Sequence, residues 1–249
     1  MTGSEQRWHW APEELTLAAG PDAGRWIADA LRRDRAEVGA LVPPVFEAYA
    51  RIFHPVYLPL YLPRIGDDHT SIRWRTIAEE NSKIAHAAMS WQTIIGTHRP
   101  GYDPEEGSLP QPEARTLVSI LRDYTATPDT CWFAIWDGYG DEGRPPPGIE
   151  LLDADRYMVV LHGPIDAAEA RFGTTPHHRG GYSANLWWPD DHTWCVATDI
   201  DLKSTYVGGS TACIDATLTD PRLEAFPVPD THFIGWTADT INPHPPYSS

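Results

Sequence analysis

Three shortages in the sequence each exclude a class of protein. Among 249 residues there are three cysteines, Cys131, Cys195 and Cys213. They are odd in number, widely separated and free of C-x-x-C spacing, which fits neither a disulfide framework nor a zinc ribbon. Positive charge is scarce as well: 19 basic residues stand against 35 acidic ones, a formal net charge of -16. Nucleic acid and anionic membrane would both be repelled, so neither is expected as a partner. Long apolar runs are missing. The opening MTGSEQRWHWAPEEL has no basic region followed by an apolar stretch, and runs such as Met158 to Leu161 are far too short to span a bilayer. The expectation is a soluble, cytoplasmic protein.

Catalytic signatures are missing too. There is no G-x-S-x-G elbow, Walker loop, G-x-G-x-x-G after a strand, H-E-x-x-H, or H-x-E paired with P-C-x-x-C. Cys195 follows a tryptophan inside an expected strand, a poor setting for a thiolate nucleophile. What the chain does have is 11 tryptophans and an apolar fraction of 41%, enough to fill a core.

The first half reads as helical. Trp26, Ile27, Ala30 and Leu31 form an apolar stripe in a segment from Asp22 to about Ala40, stopped by Pro43-Pro44. Pro44 then opens a second expected helix through Phe46, Tyr49 and Phe53, and HPVYLPLYLP follows as an extended segment. A longer helix is predicted from Ile72 to Ile95, with Ser71 as N-cap and Gly96 as its stop. On it Glu79, Ser82, His86, Ser90 and Thr93 share a polar face that reads as solvated. Ser108 and Gln111 have capping-box spacing for a helix that turns Ala114, Leu117, Val118, Leu121 and Tyr124 inward.

From Thr130 the period changes. CWFAIWD, RYMVVLHG, SANLWW and TWCVATDI are short, rich in β-branched and aromatic residues, and bounded by Gly, Pro and Asp, so each is expected as a strand. In the first two, apolar side chains fall on both faces, which places them centrally. Asp166 and Glu169 suggest a short helix stopped by Gly173, and Ser210 caps a last helix to about Leu218. The polar segment from Gly138 to Gly148 is the best internal linker, and His177-His178-Arg179 reads as an exposed loop. The expected fold is α+β in a single domain over 1–249. A helical half, about 1–127, packs on a mainly antiparallel sheet formed by about 128–235, with an irregular tail at 236–249.

The candidate chemistry gathers at the end of WWPDDHTWCVATDIDLKSTYVGGS. If Asp199 and Asp201 lie in an extended strand, their side chains point the same way about 7 Å apart and can hold a hard cation or act as an acid and base pair. Lys203 would balance one of them. Gly208-Gly209-Ser210 then reads as a loop into a helix N-terminus, where free N–H groups favour an anion. If the CWFAIWD strand neighbours the Asp199 strand, Trp136, Asp137, Tyr139 and Tyr206 join these residues around one aromatic, acidic pocket. The opposing reading makes the Trp pair core and both acid pairs turn chemistry, with Pro189-Asp190-Asp191-His192 as the turn of a hairpin.

At CWFAIWDGYG, SANLWWPDDHTWCVATDIDLKSTYVGGS and DPRLEAFPV the chain resembles a family of actinobacterial proteins without an assigned reaction, over most of its second half and more loosely before it. The resemblance implies a bacterial cytosolic protein and carries over no catalytic residue. In its acidic α+β character the chain is also similar to immunity proteins of bacterial toxin systems. The leading functional expectation is therefore an acidic binding protein, immunity-like in character, that engages a basic protein or peptide. One alternative is a cation-dependent enzyme acting on a phosphorylated or nucleotide ligand, with Asp199 and Asp201 holding the metal. The other is a binder of a hydrophobic small molecule through Trp187, Trp188 and Trp194. The sequence names no cofactor beyond that cation.

Overall fold

The computed structural model describes residues 11–32, 34–58, 71–96, 101–139, 149–150, 157–172, 181–235 and 237–245. The strands are β1 (Thr16–Leu17), β2 (Ala48–Phe53), β3 (Val56–Tyr57), β4 (Ser71–Ile72), β5 (Cys131–Trp136), β6 (Ile149–Glu150), β7 (Tyr157–Gly163), β8 (Leu186–Pro189), β9 (Trp194–Ala197), β10 (Ser204–Gly209) and β11 (Ala225–Val228). The α-helices are α1 (Arg25–Ala30), α2 (Trp74–Glu80), α3 (Trp91–Ile94), α4 (Gln111–Leu121) and α5 (Thr211–Thr219). Among the described residues nine strands form one sheet in the order β1-β7-β5-β8-β9-β10-β2-β11, with β6 also on β7, and β3 pairs with β4 apart from it. The pairings described are antiparallel. The α+β class thus holds.

Alternation along the strands explains why both faces of this sheet are covered. Phe133, Ile135, Leu161, Trp187, Trp194, Val196, Val207, Ala50 and Ile52 pack on one face against Ala114, Leu117, Val118 and Leu121 of α4 and Cys213 and Ile214 of α5. Their neighbours in the strands, among them Ala134, Val160, Trp188, Cys195 and Tyr206, meet Ile27 of α1 and the coil carrying Leu31, Val38, Leu41 and Val42 on the other face. A third cluster lies beside β2, where Phe53 and Val56 pack on Trp74, Ile77, Met89 and Trp91. At the sheet's edge β11 tolerates Pro227 because its outer side needs no ladder hydrogen bond.

The division into a helical half and a sheet half is corrected. β2 comes from the first half and lies inside the sheet between β10 and β11. Its residues were expected in a helix because Tyr49 and Phe53 are four apart, a spacing that satisfies the period of a helix and that of a strand alike. Pairing with β10 and β11 decides between them. The helix expected over 72–95 is two helices: Ser71 lies in β4, and Ser82 adopts φ 54 just after α2. The first helix ends at Ala30, since Leu31 is already extended. Ser108 does not cap α4, whose N-cap position is Pro110.

Expectations for the strands of the second half hold at β5, β7, β8 and β9, and Ser210 caps α5 by accepting from the Cys213 N–H at 3.3 Å. Asp166 and Glu169 fall in a 3-10 turn, Ile165–Glu169. Most of the Gly138–Gly148 linker, the Gly173 stop, the His177-His178-Arg179 loop and most of LPLYLP lie outside the described residues. Among the described residues no helix is long and apolar enough to cross a membrane.

Candidate functional site

β5 and β9 run parallel, each antiparallel to β8 between them. Asp137, just after β5, and Asp199, just after β9, therefore leave the sheet at the same end, with one strand separating them. Two strand spacings amount to about 10 Å. The gap is bridged by Asn185, which is buried: its Oδ1 accepts from the Trp136 N–H at 2.9 Å and its Nδ2 donates to the Thr198 carbonyl at 3.1 Å. Tyr139 closes a short 3-10 turn begun by Asp137.

Asp199 and Asp201 do not lie in a strand. They belong to a turn in which the Leu202 N–H donates to the Asp199 carbonyl at 3.1 Å and the Asp201 N–H to Asp199 Oδ1 at 3.0 Å. This is an Asx-type closure, the local alternative that a short carboxylate offers to an extended backbone. Lys203 forms an ion pair with Glu106 rather than with either aspartate. The turn packs on Gly107, which has φ +74 and donates its N–H to the Leu202 carbonyl at 2.9 Å. A β-carbon at Gly107 would stand 2.5 Å from the Ile200 carbonyl oxygen.

The glycine pair is placed elsewhere. Gly208 and Gly209 are the last residues of β10, paired with Cys195 and Trp194 of β9 and with Tyr49 and Ala48 of β2. They are strand residues, not a loop, and β10 carries them about 17 Å from its Ser204 end, where the Asp199 turn lies. Gly208 is required by packing, since a β-carbon there would stand 2.6 Å from Phe46 and 2.8 Å from Val42. The expected anion at the start of α5 does exist, but the chain supplies it. Glu47 Oε2 accepts from the Thr211 N–H at 2.9 Å and from Thr211 Oγ1 at 3.0 Å, and these bonds hold its carboxyl below the usual range. Tyr206 is buried on the sheet face opposite α4 and α5, with the Arg51 guanidinium 5.9 Å from its ring. Among the described residues no group of three or more His, Cys, Asp or Glu side chains is arranged to hold a metal ion. Trp187, Trp188 and Trp194 are 2%, 0% and 0% exposed and belong to the core clusters on the two faces of the sheet.

Beneath the Asp199 turn lies a buried polar seam that no local motif announces. His54 is fully buried, with Nδ1 2.7 Å from the Glu105 carbonyl and Nε2 2.9 Å from Thr205 Oγ1, which is 2.7 Å from Thr198 Oγ1. Burial pushes the imidazole down to about 4, so it is neutral at pH 7 and its ring N–H has the Glu105 carbonyl to donate to. Arg171 binds Glu105 at 2.9 Å and also reaches Ser108 Oγ. A second seam joins the polar face expected to be solvated. Thr93 donates to Asp239, which is buried, and His86 Nε2 lies 3.0 Å from Asp239 Oδ1. Asn242 clamps the Ile84 backbone through both its amide atoms at 2.9 Å. The C-terminal segment therefore covers what an isolated helix would have shown to water.

The opposite end of the sheet combines acids with half-buried aromatic rings. Trp132 donates its indole N–H to Asp190 Oδ1 at 3.0 Å and packs on His162, with ring centroids 5.1 Å apart. Trp26 stacks on His192 at 4.3 Å. Asp129 and Asp190 are exposed there. Burial pushes the Cys131 thiol up to about 12; the charge of Asp191 adds to this and that of Arg122 opposes it, with smaller additions from Asp129 and Asp166. No family model, curated protein or solved structure matches the chain.

Proposed function

We propose that this is an acidic binding protein that engages a basic protein or peptide, a chemistry that an immunity-like role would require. The supporting observation is how the molecule spends its own cations. Arg25, Arg32, Arg35, Arg75, Arg115, Arg122, Arg171, Lys203 and Arg222 all sit in ion pairs with acids of the same chain. Arg51 is buried, donating to the Ala87 and Met89 carbonyls at 2.9 and 3.1 Å. With these ten cations of the described residues engaged internally, acids remain on the outside: Asp29, Glu79, Glu80, Asp123, Asp129, Asp190 and Asp215 are exposed. Such a surface raises encounter rates with cationic partners and repels anionic ones.

Within that field the Trp132–Asp190 end offers the aromatic surface and fixed carboxylate that a lysine or arginine side chain prefers. Calorimetric titration with an arginine-rich peptide, against an acidic peptide of equal length, tests the reading. Binding of the basic peptide alone is expected, weakening as salt rises. Trp132→Ala combined with Asp190→Asn should weaken it about tenfold, and Asp199→Asn with Asp201→Asn at the far end by no more than about threefold. No binding of the basic peptide at low salt, or equal binding of both peptides, would overturn it.

A further inference from the structure

Arg51 lies in the middle of β2, on the sheet face opposite α4 and α5, and is 9% exposed. A guanidinium carries five hydrogens. Its Nε donates to Ser204 Oγ at 3.1 Å, and its Nη1 donates to the Ala87 and Met89 carbonyls at 2.9 and 3.1 Å. Among the described residues nothing accepts from Nη2, and no carboxylate forms an ion pair with the group. Asp239 acts on it only from farther off, its oxygens being held by Thr93, His86 and Asn242. A buried charge is costly unless it is paired and fully hydrogen-bonded, so this guanidinium is an exception that calls for a partner.

Other hydrogens without an acceptor stand beside it. Arg51 is in register with Tyr206 of β10, and its guanidinium carbon is 5.9 Å from that ring. Tyr206 is 1% exposed, and among the described residues nothing accepts from its phenol. Ser204, two residues earlier on the same face, is fully buried; its Oγ accepts from Arg51 Nε and still has its own hydrogen to give. The N–H groups of Nε and Nη2 point in parallel at acceptors side by side, so an atom accepting from Nη2 comes within reach of the Ser204 hydroxyl. His232 Nε2 is buried without a partner as well. Burial, with the charges of Arg51 and His86, holds that imidazole down to about 4, so it adds no second cation at pH 7.

We infer that Arg51, Ser204 and Tyr206 form a binding site for a small carboxylate.

The donor set selects the ligand. A guanidinium edge, a hydroxyl and a phenol all have hydrogens to give, and a carboxylate accepts at both oxygens and donates nothing. Its single negative charge balances the single guanidinium. A phosphate dianion would leave an excess of negative charge inside a chain whose formal net charge is already -16. The Phe53 ring, 4.3 Å from the guanidinium carbon, covers one face of the group, so the ligand is met at the Nη2 edge. This site is separate from the surface offered to a basic partner: β2 is four strands from β5, which carries Trp132, a span of about 19 Å.

The test follows the Arg51 Nε–H signal of the intact, ¹⁵N-arginine-labelled protein, assigned through its own backbone, at pH 7. Sodium acetate is titrated against sodium chloride of equal ionic strength. Acetate is expected to move the signal saturably and chloride to leave it in place. Tyr206→Phe removes a hydroxyl that donates to nothing in the described chain, so the fold should be kept while acetate affinity falls about tenfold. Arg51→Lys should abolish acetate binding; if that variant does not fold, the Tyr206→Phe ratio decides. The site is overturned if acetate and chloride act alike, if inorganic phosphate binds more tightly than acetate, if Tyr206→Phe leaves acetate affinity unchanged, or if a folded Arg51→Lys binds acetate as the native protein does.

Discussion

β9 is entered through the turn Asp190-Asp191-His192 and left through the turn Asp199-Ile200-Asp201, so one short strand has an acid pair at each end. At the entrance, Asp191 is a staple. Its Oδ2 accepts from the Ala126 N–H at 2.7 Å and Thr125 Oγ1 at 2.8 Å, and its Oδ1 accepts from Thr193 Oγ1 at 2.7 Å and the Thr193 N–H at 3.2 Å. At the exit, the turn is held by backbone packing on Gly107 and by the Lys203–Glu106 pair beside it. Equal composition thus hides unequal dependence on the carboxylates. An aspartate matters to stability in proportion to the backbone donors it satisfies, while its charge counts for the field whichever turn it occupies.

The largest effect should come from the exit turn, although not from its acids. Gly107→Ala must place a β-carbon against a carbonyl at a positive φ, and about 3–4 kcal/mol should be lost in urea unfolding. A loss under about 1 kcal/mol would show that the 105–108 segment is not what holds this turn. Next comes Asp191→Ala, which strands donors from two segments and should cost about 2–3 kcal/mol. Its pH signature sharpens the contrast. Burial works against the Asp191 charge, but the bonds from Thr193, Ala126 and Thr125 outweigh it and hold the carboxyl below its ordinary 3.8. The staple's contribution is therefore complete above that ordinary value and is lost as pH falls through the lower, folded-state pKa. Acid unfolding of Asp191→Asn should be less steep than that of the native protein.

Much of this architecture is written in local pattern. β5 and β7 are legible from apolar residues on both faces, and the β8–β9 hairpin from aromatic strands around a Pro-Asp-Asp turn. What escapes the sequence depends on partners far along the chain. α2 is capped by Glu224, whose carboxylate accepts from the Trp74 and Arg75 N–H groups at 2.7 and 2.8 Å. α5 takes its anion from Glu47, and Thr93 is covered by Asp239. In each case the local residues suggest a free helix end or a solvated face, and the satisfying group arrives by tertiary folding. β10 was hidden for a different reason: Gly-Gly reads as a loop, but here Phe46, Val42 and Tyr49 occupy the space that side chains on the strand would take.

The smallest effect separates the two turns most cleanly. Asp199→Asn keeps an oxygen able to accept the Asp201 N–H, the bond that closes the turn at 3.0 Å, and removes the charge. Its cost should stay within about 0.5 kcal/mol, against several times that for Asp191→Ala measured the same way. If Asp199→Asn instead cost as much as the staple, the charge itself would be holding the exit turn, and the two ends of β9 would be built on the same principle. If it is neutral, the Asp199 charge adds to the surface field without holding the turn, the property that a binding protein needs of its acids.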